Sequence, residues 1–430
     1  MKKKTIRVFT AFSGYDSQMM ALRKLQKLYP QYRFVLVGWC EIDQPVINSH
    51  NAVFPKFAVE CSLHSTSCKY KGKHHRDIKK IKWNKVPNFD MLFYSSCCQS
   101  VSLTGAMEGM EEGSGTQSAL IWFVLDAIKE RKPKYCILEN VKNMASTTFI
   151  PSFEKWKRSV SKLGYRNYAM VLNSSDYGVP QNRERLFMVS IRDDVKQDFQ
   201  FPAPVEYADA DMISKDYEKK ETHIVKLLEQ EPLDKEYYYN QQEVVKYIHA
   251  IFEKNIDESV IANVEDLSGG RLVRHTASLT CNSRNGYWVI PTLKATGYGK
   301  GTYKNFSSTG YFPQTAVLEV WEKDAPIGFN YLSLIDNAVD SGEEVTNASQ
   351  EYIQEIVKSL QSNQYLRLRK MTPREQFRFM GVPEEYIDRL LKSGNNNDEL
   401  YKQAGNSIVV DVLYHLFASL FNINTNKIKL

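Results

Sequence analysis

Side chains that could share one reaction stand where predicted strands end. Cys97 and Cys98 follow a short apolar strand and lead into a polar loop, where an ionised thiol would be exposed as a nucleophile. Glu139 closes the next predicted strand, and Arg183 and Arg185 stand at alternate positions ahead of a later one. A nucleophile, a carboxylate and two guanidinium groups at one edge of a sheet favour a catalytic site over a buried thiol and a surface set of ion pairs.

A second set of residues could form a cradle for a cofactor. The segment from Phe12 to Tyr15 follows the first predicted strand but lacks the three glycines of a dinucleotide-binding loop. Glu41 follows the second strand, where an acidic residue can bind ribose hydroxyls. A tight turn and an ordinary exposed carboxylate explain these residues equally well, so the residues alone leave the choice open.

The order of elements that must position these side chains predicts a doubly wound α/β sheet. Apolar runs typical of strands cover residues 6–12, 34–39, 90–94, 135–138, 169–172 and 186–191. Helical spacing of apolar residues is found between them at 19–28 and 119–131. Ligands bind such sheets at the carboxyl ends of the strands, which is where the candidate residues stand.

The composition changes near residue 201 and divides the chain. We expect a catalytic domain over 1–200, a smaller and mostly β domain over 201–403, and an apolar C-terminal helix within 404–430 that packs back on the first domain. Further helices are predicted at 244–252 and 351–360. Residues 268–313 combine Gly, Ser, Thr and Asn with interleaved basic and aromatic side chains, which suit phosphate contacts and groove readout, although a solvated β subdomain is the plainer reading.

The overall composition limits the class of protein. With 430 residues, 43% apolar and 25% charged, the chain fits a soluble globular protein of two or three domains. No run approaches the roughly 20 apolar residues of a membrane span, and no signal peptide is evident, so we expect a cytoplasmic protein. A net charge of +6 permits a nucleic-acid partner without requiring one. Seven scattered cysteines indicate reduced thiols rather than a disulfide framework.

Taken together and in order, the motifs resemble those of the DNA (cytosine-5) methyltransferases. The resemblance runs through the whole α/β part and the C-terminus, and it implies a Rossmann-like methyltransferase sheet with a target-recognition domain. The matching elements are Phe12-Ser13-Gly14, Glu41-Ile42-Asp43, Arg76-Asp77-Ile78, Cys97-Cys98-Gln99, Glu139-Asn140-Val141, the run from Asp176 to Arg185, Thr372-Pro373-Arg374-Glu375 with Met380-Gly381, and the run from Gly405 to Val410.

The resemblance implies a role for each element. Cys98 would attack C6 of cytosine, Glu139 would hold a proton toward N3, and Arg183 and Arg185 would hold the O2 side of the base and the active-site loop. The methyl donor would be S-adenosylmethionine, and the base would be flipped out of double-stranded DNA. The residues expected to bind the cofactor are Phe12, Ser13, Gly14, Tyr15, Glu41, Ile42, Asp77, Ile78, Leu120, Asn406, Ser407 and Val409. Those expected to contact DNA are Gln99, Gln181, Arg271, Arg274 and Arg284.

The function implied is a site-specific DNA methyltransferase of the bacterial or phage type. It would act as a monomer in restriction–modification or in protecting phage or host DNA, with a cognate endonuclease as a functional partner. An RNA cytosine-5 methyltransferase and a catalytically silent DNA-binding paralogue are the alternatives. The long divergent region before Thr372 favours DNA, and the retention of Cys98, Glu139 and Arg185 argues against a silent protein.

Three positions depart from the family pattern. Cys97 replaces a proline that stiffens the nucleophile loop, and an oxidised Cys97–Cys98 pair would block the nucleophile. Asp16 stands where many relatives have a second glycine, and Gln117 where an arginine is common.

One loop contains residues that could bind a metal. Cys61, His64, Cys68 and His74, with His75 adjacent, could supply four ligands for zinc, but the spacing is not that of a standard finger. A basic surface loop that touches the DNA backbone is the favoured reading, and we expect no metal.

Overall fold

A computed structural model describes the part of the chain that forms the predicted sheet. The described residues are 3–55, 74–96, 109–179, 181, 183–205, 227–229, 233–234, 237–238, 271–272, 315–322, 330–336 and 364–423.

Seven strands form one mixed sheet. They are β1 (Lys4–Ala11), β2 (Tyr32–Cys40), β3 (His74–His75), β4 (Met91–Tyr94), β5 (Tyr135–Val141), β6 (Tyr165–Asn173) and β7 (Glu184–Arg192). Their order is β3-β2-β1-β4-β5-β7-β6, and β7 runs antiparallel to both neighbours while the other pairs are parallel. The strand order reverses between β1 and β4, which is where such sheets bind ligands. The predicted doubly wound sheet is confirmed, and the reversed β7 is a feature that the sequence did not predict.

Eight α-helices accompany the strands in the described residues. They are α1 (Ser17–Leu28), α2 (Gln44–Val53), α3 (Val124–Arg131), α4 (Ile150–Ser161), α5 (Pro373–Phe379), α6 (Glu384–Leu391), α7 (Asn397–Asn406) and α8 (Val410–Leu420). The helix predicted at 119–131 is a 3-10 segment, Ser118–Phe123, that continues into α3. The single C-terminal helix expected within 404–430 is wrong, because extended backbone at Ser407 separates α7 from α8.

Helices cover both faces of the sheet. In β1, Ile6 and Val8 belong to one apolar core, whereas Phe9 and Ala11 belong to the other. The first core is completed by α1, α2 and α5 to α8, and the second by α3 and α4. Burial on both faces explains why these strands read as continuous apolar runs rather than as alternating ones.

The helices that follow residue 371 share a core with the sheet. Phe377 of α5, Ile387 of α6 and Leu400 of α7 are buried in the same cluster as β1 and β2. Apolar side chains ahead of residue 404 thus already pack in the core that lies on the sheet. The division of the chain into domains stays a prediction.

A close approach between α5 and α8 requires a glycine. Gly381 has φ +69°, and a Cβ at this position would lie 2.6 Å from Oδ2 of Asp411. The adjacent Met380 carbonyl accepts a hydrogen bond of 2.9 Å from the Val410 amide. On its other side, Asp411 accepts Nζ of Lys24 from α1 at 2.6 Å. These contacts fix α8 against α1 and the end of α5.

A second sheet is antiparallel. It contains β8 (Arg271–Leu272), β9 (Thr315–Glu322), β10 (Asn330–Asp336) and β11 (Gln364–Lys370), in the order β10-β9-β11, with β8 also paired to β9. β structure was expected here, but the rest of 268–313 and the helices predicted at 244–252 and 351–360 lie outside the described residues.

A buried ion pair joins this second sheet to α5. The Arg369 guanidinium donates to both Glu375 oxygens, at 2.8 and 2.9 Å, with both side chains inaccessible to water. Glu375 also completes a capping box with Thr372 at the start of α5. Because breaking one partner of such a pair leaves a buried charge, the junction is held firmly. Within the described ranges, no helix is long and apolar enough to cross a membrane.

Candidate active site

The loop after β1 has a backbone that leaves space at the carboxyl edge of the sheet. Phe12 and Gly14 are both left-handed, with φ of 54° and 58°. A Cβ on Gly14 would meet no atom within 4 Å, so the space beside it is open. The amide of Ser13 donates to the Cys40 carbonyl at 3.0 Å, and that of Gly14 donates to Oε2 of Glu41 at 3.0 Å.

Glu41 organises this edge through three backbone amides. Its Oε1 accepts from Ile42 at 2.8 Å and from Asp43 at 3.0 Å, while Oε2 accepts one hydrogen bond within the described part of the chain, from Gly14 at 3.0 Å. Burial raises the pKa of Glu41, and these amide donors oppose that rise. Because a carboxylate oxygen can accept two hydrogen bonds, Oε2 retains room for a hydroxyl donor. Ile42 is 61% exposed beside it, an apolar surface next to a polar acceptor.

Asp77 supplies a second carboxylate beyond β3. Its Oδ1 accepts from the Lys79 amide at 3.0 Å, and Ile78 is buried behind it. Two carboxylates and one exposed apolar side chain on neighbouring strands suit a ligand with hydroxyls and a flat ring.

A buried carboxylate, Glu139, lies at the end of β5. Ser95 donates to its Oε2 at 2.6 Å, and Nε of Arg185 lies 3.4 Å from its Oε1. Burial raises the pKa of Glu139, against the opposing effects of Arg185, Ser95 and Arg183. The group is therefore more ready to hold a proton than an ordinary glutamate.

The same strand end fixes the segment that leads to the vicinal cysteines. Nδ2 of Asn140 donates to the Ser96 carbonyl at 3.1 Å. Ser95 and Ser96 are thus hydrogen-bonded to Glu139 and Asn140, two consecutive residues of β5. Cys97, Cys98 and Gln99, which follow, lie outside the described residues.

Arg183 connects the strand that carries Arg185 to the C-terminal segment. Its Nη2 donates to the carbonyls of Gly405 and Ser407, both at 2.7 Å. The hydroxyl of Tyr15 donates to Oγ of Ser407 at 2.5 Å, so Tyr15 points into the protein, where burial raises its pKa. The loop after β1, the segment before β7 and the C-terminal segment, which were predicted separately, therefore meet at Ser407.

The remaining predicted residues occupy varied positions. Gln181 is fully buried and donates to the Phe379 carbonyl at 3.0 Å, so its side chain faces α5. Leu120 is half-buried, Asn406 is exposed at the end of α7, and Val409 is buried. Arg271 opens β8, while Arg274 and Arg284 lie outside the described residues.

The loop that was considered as a metal site, and set aside in favour of a basic surface loop, lies mostly outside the described residues, as do Cys61, His64 and Cys68. His74 instead approaches the Glu41 carbonyl, with Nε2 at 3.2 Å. In the parts of the chain that can be described, no group of three His, Cys, Asp or Glu side chains could hold a metal ion.

The sequence analysis missed Ser95, the hydroxyl partner of Glu139. Its position directly before Ser96 and the cysteines, at the end of β4, is a signal that could have identified it. Nothing in the spacing of Tyr15 and Ser407, nearly the whole chain apart, could have predicted their contact.

Comparison with known proteins identifies the family. The model of the C-5 cytosine-specific DNA methylases matches residues 31–422. The type II methyltransferase M2.ScrFI of Lactococcus lactis subsp. cremoris is 28% identical, with 97% of this chain and 99% of the relative aligned. The orphan methyltransferase M.SPRI of Bacillus phage SPR is 27% identical, over 98% and 99% of the two chains. The chain belongs to the C-5 cytosine-specific DNA methylases and is a DNA cytosine methyltransferase.

Solved structures show the same fold. The Dnmt2 methyltransferase of S. pombe superposes with a TM-score of 0.55 at 16% identity, covering 97% of this chain and 98% of the other. The methyltransferase EhMeth of Entamoeba histolytica gives 0.56 at 14% identity, over 98% and 99%. The seven-stranded sheet with helices on both faces is thus a Rossmann-like methyltransferase fold.

Proposed function

We propose that this protein transfers a methyl group from S-adenosylmethionine to C5 of a flipped cytosine in a short DNA sequence, through a covalent bond from Cys98 to C6. The observation that carries the proposal is the buried Glu139 between Ser95 and Arg185. A protonated carboxyl at the end of a hydrogen-bonded strand is suited to support negative charge on an electron-poor ring.

The residues at the β1 and β2 edge fit the cofactor. Glu41 Oε2 has room to accept a ribose hydroxyl, Asp77 can accept from the adenine amine, and exposed Ile42 offers an apolar surface to the ring. The open space at Gly14 admits the ligand next to the main chain. When bound, S-adenosylmethionine would supply an electrophilic methyl group to C5.

The protein's own residues would carry the proton and electron movements. The Cys98 thiolate adds to C6 of cytosine, and N3 takes the proton that Glu139 holds, so that C5 becomes nucleophilic. After C5 has gained the methyl group, a base removes the C5 proton, the C6–S bond breaks and N3 returns its proton to Glu139. Arg185, which forms an ion pair with Glu139, is placed to donate to O2 of the base. Arg183 would position this strand end through Gly405 and Ser407 rather than touch the base.

Chain connectivity supports the role of Cys98. Asn140 fixes the Ser96 carbonyl at the end of β5. Cys98 follows two residues later, so its Cα is within roughly 7.6 Å of the Ser96 Cα. The two cysteines therefore start from the strand end that carries Glu139, which supports a nucleophile at this edge of the sheet.

Bisulfite sequencing of DNA from cells that express the protein tests the function. We expect protected cytosines at one short recurring sequence, and none in cells that express Cys98→Ser. Purified protein with RNA in place of DNA is the matched substrate control. Folded protein that leaves every cytosine in DNA unprotected, or that methylates only RNA, would overturn the proposal.

Loss of the two carboxylates at the cofactor edge should weaken binding rather than chemistry. We expect Glu41→Ala and Asp77→Ala to raise the KM for S-adenosylmethionine more than they lower kcat, because both groups lie far from the transferred methyl group. Steady-state kinetics at saturating DNA measures both constants. Asp90→Ala is the matched control, since Asp90 also accepts a backbone amide, from Arg7 at 3.0 Å, but at the amino end of β4. A fall in kcat with an unchanged KM would place these carboxylates elsewhere.

Sequence specificity should reside in residues 268–313. Replacing Arg271, Arg274 or Arg284 with alanine is expected to relax the methylated site at one position, since one base-edge contact supplies about 1–3 kcal/mol of discrimination. Lys300→Ala is the contrasting variant: loss of a phosphate contact would weaken binding to all sequences and reduce its salt dependence. Sequencing the methylated sites of each variant gives the result. If every variant keeps the same site and mismatch tolerance, recognition lies elsewhere, and 201–260 is the next region to test.

The biological role we propose is protection of DNA, either in restriction–modification or in a phage. Its support is that relatives aligned over nearly their whole length are named type II and orphan methyltransferases. In this role the protein would act as a monomer on double-stranded DNA, with any endonuclease as a functional partner.

A further inference from the structure

Three aromatic rings are stacked next to the residues proposed to bind the cofactor. His50 of α2 lies flat on Trp39 of β2, with ring centroids 3.6 Å apart and 12° between the planes. His74 of β3 packs on Trp39 at 4.1 Å and 30°. Two rings this close to one centroid cannot share a face, so Trp39 is held between the two histidines. We call His50, Trp39 and His74 the ring column.

Each end of the ring column is attached to a segment of the proposed cofactor site. At one end, Nε2 of His50 lies 3.3 Å from Oδ2 of Asp16, which also accepts the Thr10 hydroxyl at 3.2 Å. At the other end, Nε2 of His74 lies 3.2 Å from the Glu41 carbonyl. Both partners of the histidines are acceptors, so the ring nitrogens donate. β3, which begins at His74, leads directly to Asp77.

The backbone at Asp16 makes its side chain significant. Its φ is 70°, a left-handed conformation that glycine adopts most readily and that Asp and Asn tolerate better than other residues. The chain nevertheless has a carboxylate at this position, with the Asp16 and His50 side chains both fully shielded from water. A buried carboxylate is costly unless donors satisfy it. The gain that offsets this burial is expected from the two groups that Oδ2 holds, the Thr10 hydroxyl and the His50 ring.

We propose that Asp16 and the ring column are positioning residues, which keep the loop after β1, Glu41 and the segment leading to Asp77 in one arrangement competent to bind the methyl donor. The inference rests on the proposed function. Asp16, His50 and Trp39 are too deeply buried to touch a ligand, so their effect must pass through the segments that they join.

Two substitutions at Asp16 separate this role from a backbone role. Asp16→Gly relieves the left-handed backbone but removes the carboxylate, whereas Asp16→Asn keeps an acceptor for His50 and tolerates the same φ. We expect Asp16→Gly to weaken binding of S-adenosylhomocysteine about tenfold, the size of effect that loss of a hydrogen bond to a charged group would give. Asp16→Asn should stay within about threefold of the wild type by the same measure. The KM for S-adenosylmethionine should follow, with kcat nearly unchanged.

Lys132→Gly provides the matched control. Lys132 is another left-handed residue that is not glycine, with φ 44°, at the end of α3. Its replacement tests whether glycine at such a position disturbs ligand binding in general, and we expect unchanged affinity. Isothermal titration calorimetry with S-adenosylhomocysteine gives the affinities, and thermal unfolding shows that each variant is folded.

A double-mutant cycle tests whether the ring column carries the effect. In a Trp39→Phe background, or Trp39→Leu where it folds, Asp16→Gly should weaken binding by a smaller factor than in the wild type, since the column is already loosened. If Asp16→Gly weakens binding by the same factor in both backgrounds, Asp16 acts without Trp39, and the positioning role of the ring column is overturned.

The outcomes distinguish this inference from the function on which it rests. A wild-type protein that does not bind S-adenosylhomocysteine would overturn the cofactor assignment, and the positioning role with it. A wild type that binds while Asp16→Gly binds equally well would overturn the positioning role alone.

Discussion

Replacing Cys98 with serine is expected to reduce methyl transfer by a factor of about 10⁴ or more, because the nucleophile is removed. A serine hydroxyl is far less ionised near neutral pH than a thiol, whose ordinary pKa is about 8.5. Folding and cofactor binding should be retained, since the substitution is small. The measurement is single-turnover transfer of a labelled methyl group to DNA, together with calorimetric binding of S-adenosylhomocysteine.

Cys97→Ser is the matched control for this variant. It replaces sulfur with oxygen in the adjacent side chain and should leave most of the activity when a reducing agent is present. If Cys97→Ser were inactive and Cys98→Ser kept the wild-type rate, the nucleophile would be Cys97. Inactivation of the wild type by mild oxidants, lost in Cys97→Ser, would instead point to a disulfide between the two neighbours.

Replacing Glu139 with glutamine should lower kcat by about 10²–10⁴-fold, the usual contribution of a general acid. Burial raises the pKa of Glu139, so its acid form persists to a higher pH than in an ordinary glutamate. The wild-type rate should therefore fall as the pH rises through this raised pKa, and Glu139→Gln should lose that dependence. Rates at saturating DNA and cofactor over a series of pH values give the result.

The pH dependence of stability supplies an independent readout for Glu139. A carboxyl whose folded pKa is raised holds its proton more tightly when folded than when unfolded. Its contribution to stability is full below the ordinary value of 4.5 and is lost as the pH rises through the raised value. Glu139→Gln should remove this loss, whereas Glu184→Gln, a partly exposed carboxylate paired with Lys142 at 2.7 Å, should not. Unchanged pH profiles in Glu139→Gln would refute the assignment.

The central strands of the sheet could be predicted from sequence because they are apolar on both faces. Runs such as 135–138 and 186–191 coincide with β5 and β7, and the strand-end position of Glu139 follows from them. The antiparallel direction of β7 could not be predicted, since local pattern does not encode the direction in which a strand enters a sheet. The break at Ser407 was missed because apolar residues on both sides of it, such as Ala404 and Val410, are buried in one core whether or not the backbone between them is helical.

Residue types and their order along the chain predicted which side chains belong to the site, but not the contacts that those side chains make. Glu41 and Glu139 stand at strand ends where geometry gives them partners. The contacts of Arg183 with Gly405 and Ser407, by contrast, depend on how the C-terminal segment folds back. Spacing along the chain carries no information about such contacts. The same holds for His50 on Trp39, which looks like any core histidine in the sequence.

The position of α8 has a consequence for synthesis of the protein. β1 and α1 are made first, yet the core that covers their face is completed by α8 and by Phe421, which packs on Phe34. On the ribosome, the apolar face of β1 and α1 therefore stays exposed until α8 has emerged. The contact between Tyr15 and Ser407 also forms only then. Chaperones that shield apolar segments should thus engage this chain until α8 has been made.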